Sequence, residues 1–137
     1  MTDLLTARHQ LDSGKYTCVV CRDDVLYYAT ERGVKPLVDW LDSDICLEGF
    51  SAADKVVGRA TAFLYCLLGV TNVHANVMSR PAAQVLEQNG IGVSYGQLVD
   101  GIINRRGTGP CPFESAVLHI TEPGDALVAI RKKMESM

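Results

Sequence analysis

The sequence predicts an α/β fold, a three-layer α/β/α sandwich whose mixed sheet is led by a β-hairpin. Three observations predict it. A β-branched and aromatic stretch from Tyr16 to Tyr28 is interrupted by Asp23-Asp24, a strand–helix–strand pattern runs from Val73 to Tyr95, and stretches with helical spacing precede and follow both.

The elements follow in order. Leu4, Leu5, Ala7, Arg8 and Leu11 predict an amphipathic helix over residues 3–13, ended by Gly14. Tyr16 to Cys21 and Val25 to Tyr28 predict the hairpin, turning at Asp23-Asp24 and closed off by Gly33. Residues 35–42 predict a short helix carrying Leu37, Val38, Trp40 and Leu41, with an irregular link through Cys46 to Phe50. Ser51 to Leu68 reads as one long helix. Its apolar positions are 53, 56, 57, 60, 63, 64, 67 and 68, Ser51 and Asp54 have capping-box spacing, and Gly69 ends it. Val73–Met78, Pro81–Gln88 and Ile91–Tyr95 predict a βαβ unit with parallel strands, its helix stopped by Asn89-Gly90. Gln97 to Arg105 reads as helical, a loop over residues 107–112 leads to a short helix from Phe113 to about Leu118, and Thr121 caps a last helix to about Glu135.

A chain of 137 residues suits a single domain, residues 1–137, and a 47% hydrophobic content with 21% charged residues favours a packed core over disorder. The net charge of −3, with basic clusters no longer than Arg131-Lys132-Lys133, argues against a nucleic-acid partner. The start of the chain lacks the basic, apolar pattern of a signal peptide, and the most apolar stretch, Ala60 to Val70, falls short of the ~20 residues needed to span a bilayer. A cytoplasmic protein without a membrane partner is expected, its five cysteines reduced.

Cys18 and Cys21 form a C-x-x-C, but strand alternation sends them to opposite faces and favours two small core residues. His74-Ala75-Asn76 followed by Pro110-Cys111-Pro112-Phe113-Glu114 is close to the zinc-deaminase pattern H-x-E then P-C-x-x-C. Asn76 stands where the proton-shuttling glutamate is needed, Glu114 where the second cysteine is needed, and His74 falls on a strand. No metal site and no cofactor is therefore expected.

Other residues are better candidates. Asp54 in a helix's first turn serves as cap and dipole partner, or as a polar group in a pocket. Lys55 opposes the dipole there, and Gly58 would cost roughly 1 kcal/mol in a helix interior, which invites a packing or ligand-approach reason. Ser79-Arg80-Pro81 lies where a strand passes into a helix, either a plain N-cap with a solvated arginine or part of a ligand site. Cys111, bracketed by prolines before a helix start, is either a reactive thiol with Glu114 beside it or a docked loop residue.

With Ala53-Asp54-Lys55-Val56-Val57-Gly58, Val77-Met78-Ser79-Arg80-Pro81-Ala82, and Asn104-Arg105-Arg106 leading to Cys111-Pro112-Phe113-Glu114, nearly the whole chain resembles a family of short uncharacterised prokaryotic proteins. That family is similar in fold to the cytidine deaminases but lacks their zinc ligands. The resemblance implies a cytidine-deaminase-like domain in which Asp54-Lys55 takes the place of the H-x-E helix start and Ser79-Arg80-Pro81 that of P-C-x-x-C. It implies one pocket between two helix N-termini. The expected function is small-molecule binding, of a nucleoside-like or anionic ligand, with Lys55 and Arg80 on the anion and Asp54 and Ser79 making polar contacts. The alternatives are a metal-independent enzyme using Cys111 or Lys55, with Asp54 or Glu114 as orienting group, and a regulatory or interaction module.

Overall fold

In the computed structural model, which describes residues 2–31, 33–103, 107, 109 and 111–136, the chain begins with helix α1, Asp3–Asp12, capped by the Thr2 hydroxyl. The hairpin follows as β1, Cys18–Arg22, and β2, Val25–Ala29, paired antiparallel. Its turn holds Asp23 at a φ of 53°, a left-handed conformation that Asp tolerates. Helix α2, Lys35–Asp42, starts with Pro36 in its first turn.

The next segment departs from the sequence expectation. Ser51–Val57 is a strand, β3, and the helix, α3, runs only from Arg59 to Leu68. The reason is burial on both faces. Ala52 packs in the large core under the helices and Ala53 in a second cluster with Ala7 and Leu11 of α1, both without exposure. A strand covered on two sides shows no apolar–polar alternation, so its period is invisible and its alanines pass for helix formers. Gly58 is thus the extended N-cap of α3 rather than an interior residue, and Gly69, at a φ of 80°, closes the helix in the left-handed conformation.

Strand β4, Asn72–Ser79, helix α4, Arg80–Gln88, and strand β5, Gly92–Val99, complete the βαβ unit. β5 extends past the expected Tyr95, so residues 97–99 are strand and not the start of a helix; residues 104 and 105 of that expected helix lie outside the described residues. Helix α5, Pro112–Ala116, is shorter than expected, and α6, Pro123–Glu135, has Glu122 rather than Thr121 as its N-cap.

The strand order is β2-β1-β3-β4-β5. β1 pairs antiparallel with β2 and β3, while β3, β4 and β5 are parallel, so the sheet is mixed as expected. Helix α1 covers β1, β3 and β4 on one face. Phe63, Leu64, Leu37, Leu86 and Ile130 bring α2, α3, α4 and α6 into the core that includes the other face of the sheet. Among the described residues, no helix is long and apolar enough to cross a membrane.

Candidate functional site

Because β3 alternates, Asp54 shares a face with Ala52 and looks toward the helices α2 and α3 rather than toward α1. It is only 8% exposed, in the middle of the sheet. The Tyr65 hydroxyl, from α3, donates to Asp54 Oδ2 at 2.7 Å, and the Val56 N–H donates to Oδ1 at 3.3 Å. Cys18 Sγ, on β1, lies 2.9 Å from the Tyr65 hydroxyl. Tyr65 has a single proton and gives it to the carboxylate, so the thiol is the donor in that second contact. A buried chain runs from Cys18 through Tyr65 to Asp54.

Burial dominates the chemistry of this chain. It pushes the Asp54 carboxyl up to about 6, against the Tyr65 and Val56 hydrogen bonds and the weaker pull of the nearby Lys55 amide, itself bonded to the Thr17 carbonyl, and of the Cys18 thiol, which hold it down. Burial, then the Asp54 charge, raises both the Cys18 thiol and the Tyr65 hydroxyl far above their ordinary values. Neither is a nucleophile in this state.

Asp54 opens onto a cleft of about 260 Å³ between one end of the β1–β3 pair and the first turn of α2, walled by Thr17, Pro36 and Leu37. Lys55 also borders it, exposed at its mouth. The Thr17 hydroxyl fastens one rim by donating to the Glu31 carbonyl at 2.7 Å, with the Ala29 carbonyl close by at 3.1 Å.

The remaining sequence candidates lie elsewhere: the cleft between two helix starts exists, but it lies between Arg59 of α3 and Pro81 of α4, and Asp54 and Lys55 are not part of it. The helix start expected at Asp54-Lys55 lies at Arg59, where Glu114 occupies it. The Glu114 carboxylate accepts from the Arg59 N–H at 2.6 Å and the Ala60 N–H at 2.8 Å. Gly58 makes this possible, since a Cβ there would stand 2.4 Å from Glu114 Oε1. Arg59 itself donates to the Val117 and Ile120 carbonyls and lies 5.0 Å over the Phe63 ring. Ser79 is fully buried and its hydroxyl caps α4 by accepting from the Ala82 N–H at 3.1 Å, the plain N-cap of the two sequence readings. Arg80 is exposed and paired with Asp100 at 3.0 Å. Cys111 is the half-buried N-cap of α5. Glu114, Asp100 and Pro81 border a second cleft, of about 340 Å³, which Asp54 and Lys55 do not reach.

Cys18 and Cys21 face opposite sides of the sheet, as alternation requires. His74 Nδ1 pairs with the Ser94 hydroxyl at 2.8 Å, and burial followed by the nearby Arg8 charge lowers its basicity. Among the described residues, no three His, Cys, Asp or Glu side chains are grouped to hold a metal. Another cleft, of about 450 Å³, lies between Trp40, Ile45 and Leu68, and its described lining brings no convergent set of buried polar groups. Sequence reasoning missed Tyr65 and Cys18 as partners of Asp54. The available signal was Tyr65 itself, since a tyrosine within an apolar helix needs a hydrogen-bond partner in the core.

The family described as "TM1506: Domain of unknown function (DUF1893)" matches residues 6–134. The crystal structure of a DUF1893 family protein (TM1506) from Thermotoga maritima superposes with a TM-score of 0.84 at 25% identity, covering 100% of this chain and 92% of that one. The apo dCMP deaminase of the cyanophage S-TIM5 is a distant likeness, with a TM-score of 0.47 and 16% identity over 67% of this chain and 92% of that one. None of the curated proteins matches significantly.

Proposed function

The chain belongs to the DUF1893 family, and from that premise we propose that it is a small-molecule-binding protein without a zinc centre, its ligand held in the Asp54 cleft. One observation carries this reading: a carboxyl group buried in the middle of the sheet borders an open cleft. Burying a carboxylate costs several kcal/mol unless a partner compensates. Tyr65 and one long amide bond compensate only in part, and an entering ligand supplies the rest. A concave, partly apolar space with a few fixed polar groups is the usual form of a small-molecule site.

The metal-independent enzyme is less well supported. Glu114, which would orient Cys111, is committed to the amides of Arg59 and Ala60. What favours an enzyme is Asp54, because a carboxyl held at about 6 is suited to take and return a proton near neutral pH.

A thermal-shift and calorimetric screen of nucleosides, nucleotides and related metabolites tests the binding reading. A ligand is expected to raise Tm in the wild type, with the effect lost in Asp54→Asn and altered in Lys55→Ala. No ligand-dependent change in any of the three contradicts it, and stoichiometric zinc in the purified protein contradicts the zinc-free part.

A further inference from the structure

Resting on the ligand-binding reading of the same cleft, we infer that the site is selective for a ligand presenting a protonated or amino nitrogen (an amine, an amidine or an aminated heterocycle) to the Asp54 carboxylate. The geometry leaves room for such a group. Oδ2 takes one short bond, from Tyr65, and Oδ1 only the 3.3 Å contact from Val56, whereas each carboxylate oxygen accepts two donors. Among the described residues, no Lys, Arg or His forms an ion pair with Asp54.

The surroundings have the same polarity. Cys18 from β1 and Tyr65 from α3 offer hydrogen-bond protons but no positive charge. Helix α2 contributes the uncharged Pro36 and Leu37. Glu31, after β2, adds a second carboxylate at the rim, 3.8 Å from Lys35, whose ammonium is bonded more closely to Asp39 at 2.9 Å. Lys55, exposed on β3 itself, is the cation among the described lining residues. Among the described lining residues, two carboxylates stand against one lysine, a balance that attracts a cation and disfavours a phosphate. At about 260 Å³ the cleft falls just below the ~300–1,000 Å³ of drug-sized sites, so it holds one ring system rather than a dinucleotide. The raised Asp54 carboxyl fits as well: its ionised form is held at a cost that a bound cation relieves, so binding draws the proton off.

A matched set of probes decides it: benzamidine, its neutral isostere benzamide and its anionic counterpart benzoate, titrated into the wild-type protein and Asp54→Asn. The readouts are the amide NMR shifts of Thr17, Lys55 and Val56. Benzamidine is expected to move these signals and to bind on the order of tenfold or more tightly than the other two, as a charge-assisted contact to a buried carboxylate implies. Asp54→Asn should erase the preference. In the wild type, which needs no variant to fold, benzamidine binding should weaken several-fold as pH falls from about 8 to about 5, because Asp54 takes up its proton while benzamidine stays charged. Benzamide or benzoate binding equally well at those amides, a preference that survives Asp54→Asn, or a flat pH profile would overturn the selectivity and leave the cleft standing as a ligand site. No shift with any of the three probes would overturn the cleft as well.

Discussion

At the start of α3 the Glu114 carboxylate receives two of the backbone N–H groups that a helix leaves unpaired, from a residue 55 and 54 positions away. It also brings negative charge to the positive end of the helix. Gly58 is the matching half of this contact, because any side chain there collides with the carboxylate. Glu114→Ala should cost about 1–2 kcal/mol of unfolding free energy, as loss of a capping side chain does. Gly58→Ala should cost a comparable amount with Glu114 present. In the Glu114→Ala background it should cost much less, so urea denaturation of the double-mutant cycle should show coupling. Additive losses would show that the two residues do not act together. The sequence marked Gly58 as a helix-interior glycine inviting a packing or ligand-approach reason; it is the N-cap instead, and what packs against it is a side chain. That Glu114 supplies it was not legible, since nothing local links residues so far apart.

Among the elements, β3 is the one whose nature was hidden. The hairpin was legible from Asp23-Asp24, α1 and α2 from their spacing, and the βαβ unit from Pro81 and Asn89-Gly90, because each has a solvent-facing side or a turn signal of its own. Over residues 51–54 β3 has none: its flanking strands cover its edges, α1 covers Ala53 and the other helices cover Ala52. Ser51 and Asp54 imitate a capping box by spacing alone. As a strand, β3 makes both alanines intolerant of size, in opposite directions. Ala52→Leu and Ala53→Leu should each lose about 1–3 kcal/mol by overpacking. Hydrogen exchange should distinguish them, with Ala53→Leu loosening α1 and Ala52→Leu leaving α1 protected. Equal loosening of α1 by both would argue against the alternation.

For the whole molecule, Asp54 links stability to pH. The folded protein holds this proton up to about 6, whereas the ordinary carboxyl releases it at 3.8. Between those values the folded state binds the extra proton, so its stabilising effect is full below about pH 4 and is lost as pH rises through 6. The loss is on the order of 2–3 kcal/mol. Asp54→Asn, which can still accept from Tyr65, should therefore gain stability relative to the wild type as pH rises from about 4 to about 7, measured by denaturant unfolding at each pH. The fold class was legible in the sequence and Asp54 stood among its candidates, but the setting of Asp54 was not legible, because a residue's burial depends on which strand and helix close over it. All of this rests on a carboxyl buried beside an open cleft. A side-chain carboxyl ¹³C NMR titration of Asp54 in the folded protein tests that most directly: the midpoint should lie near 6, and a midpoint at the ordinary 3.8 would contradict it.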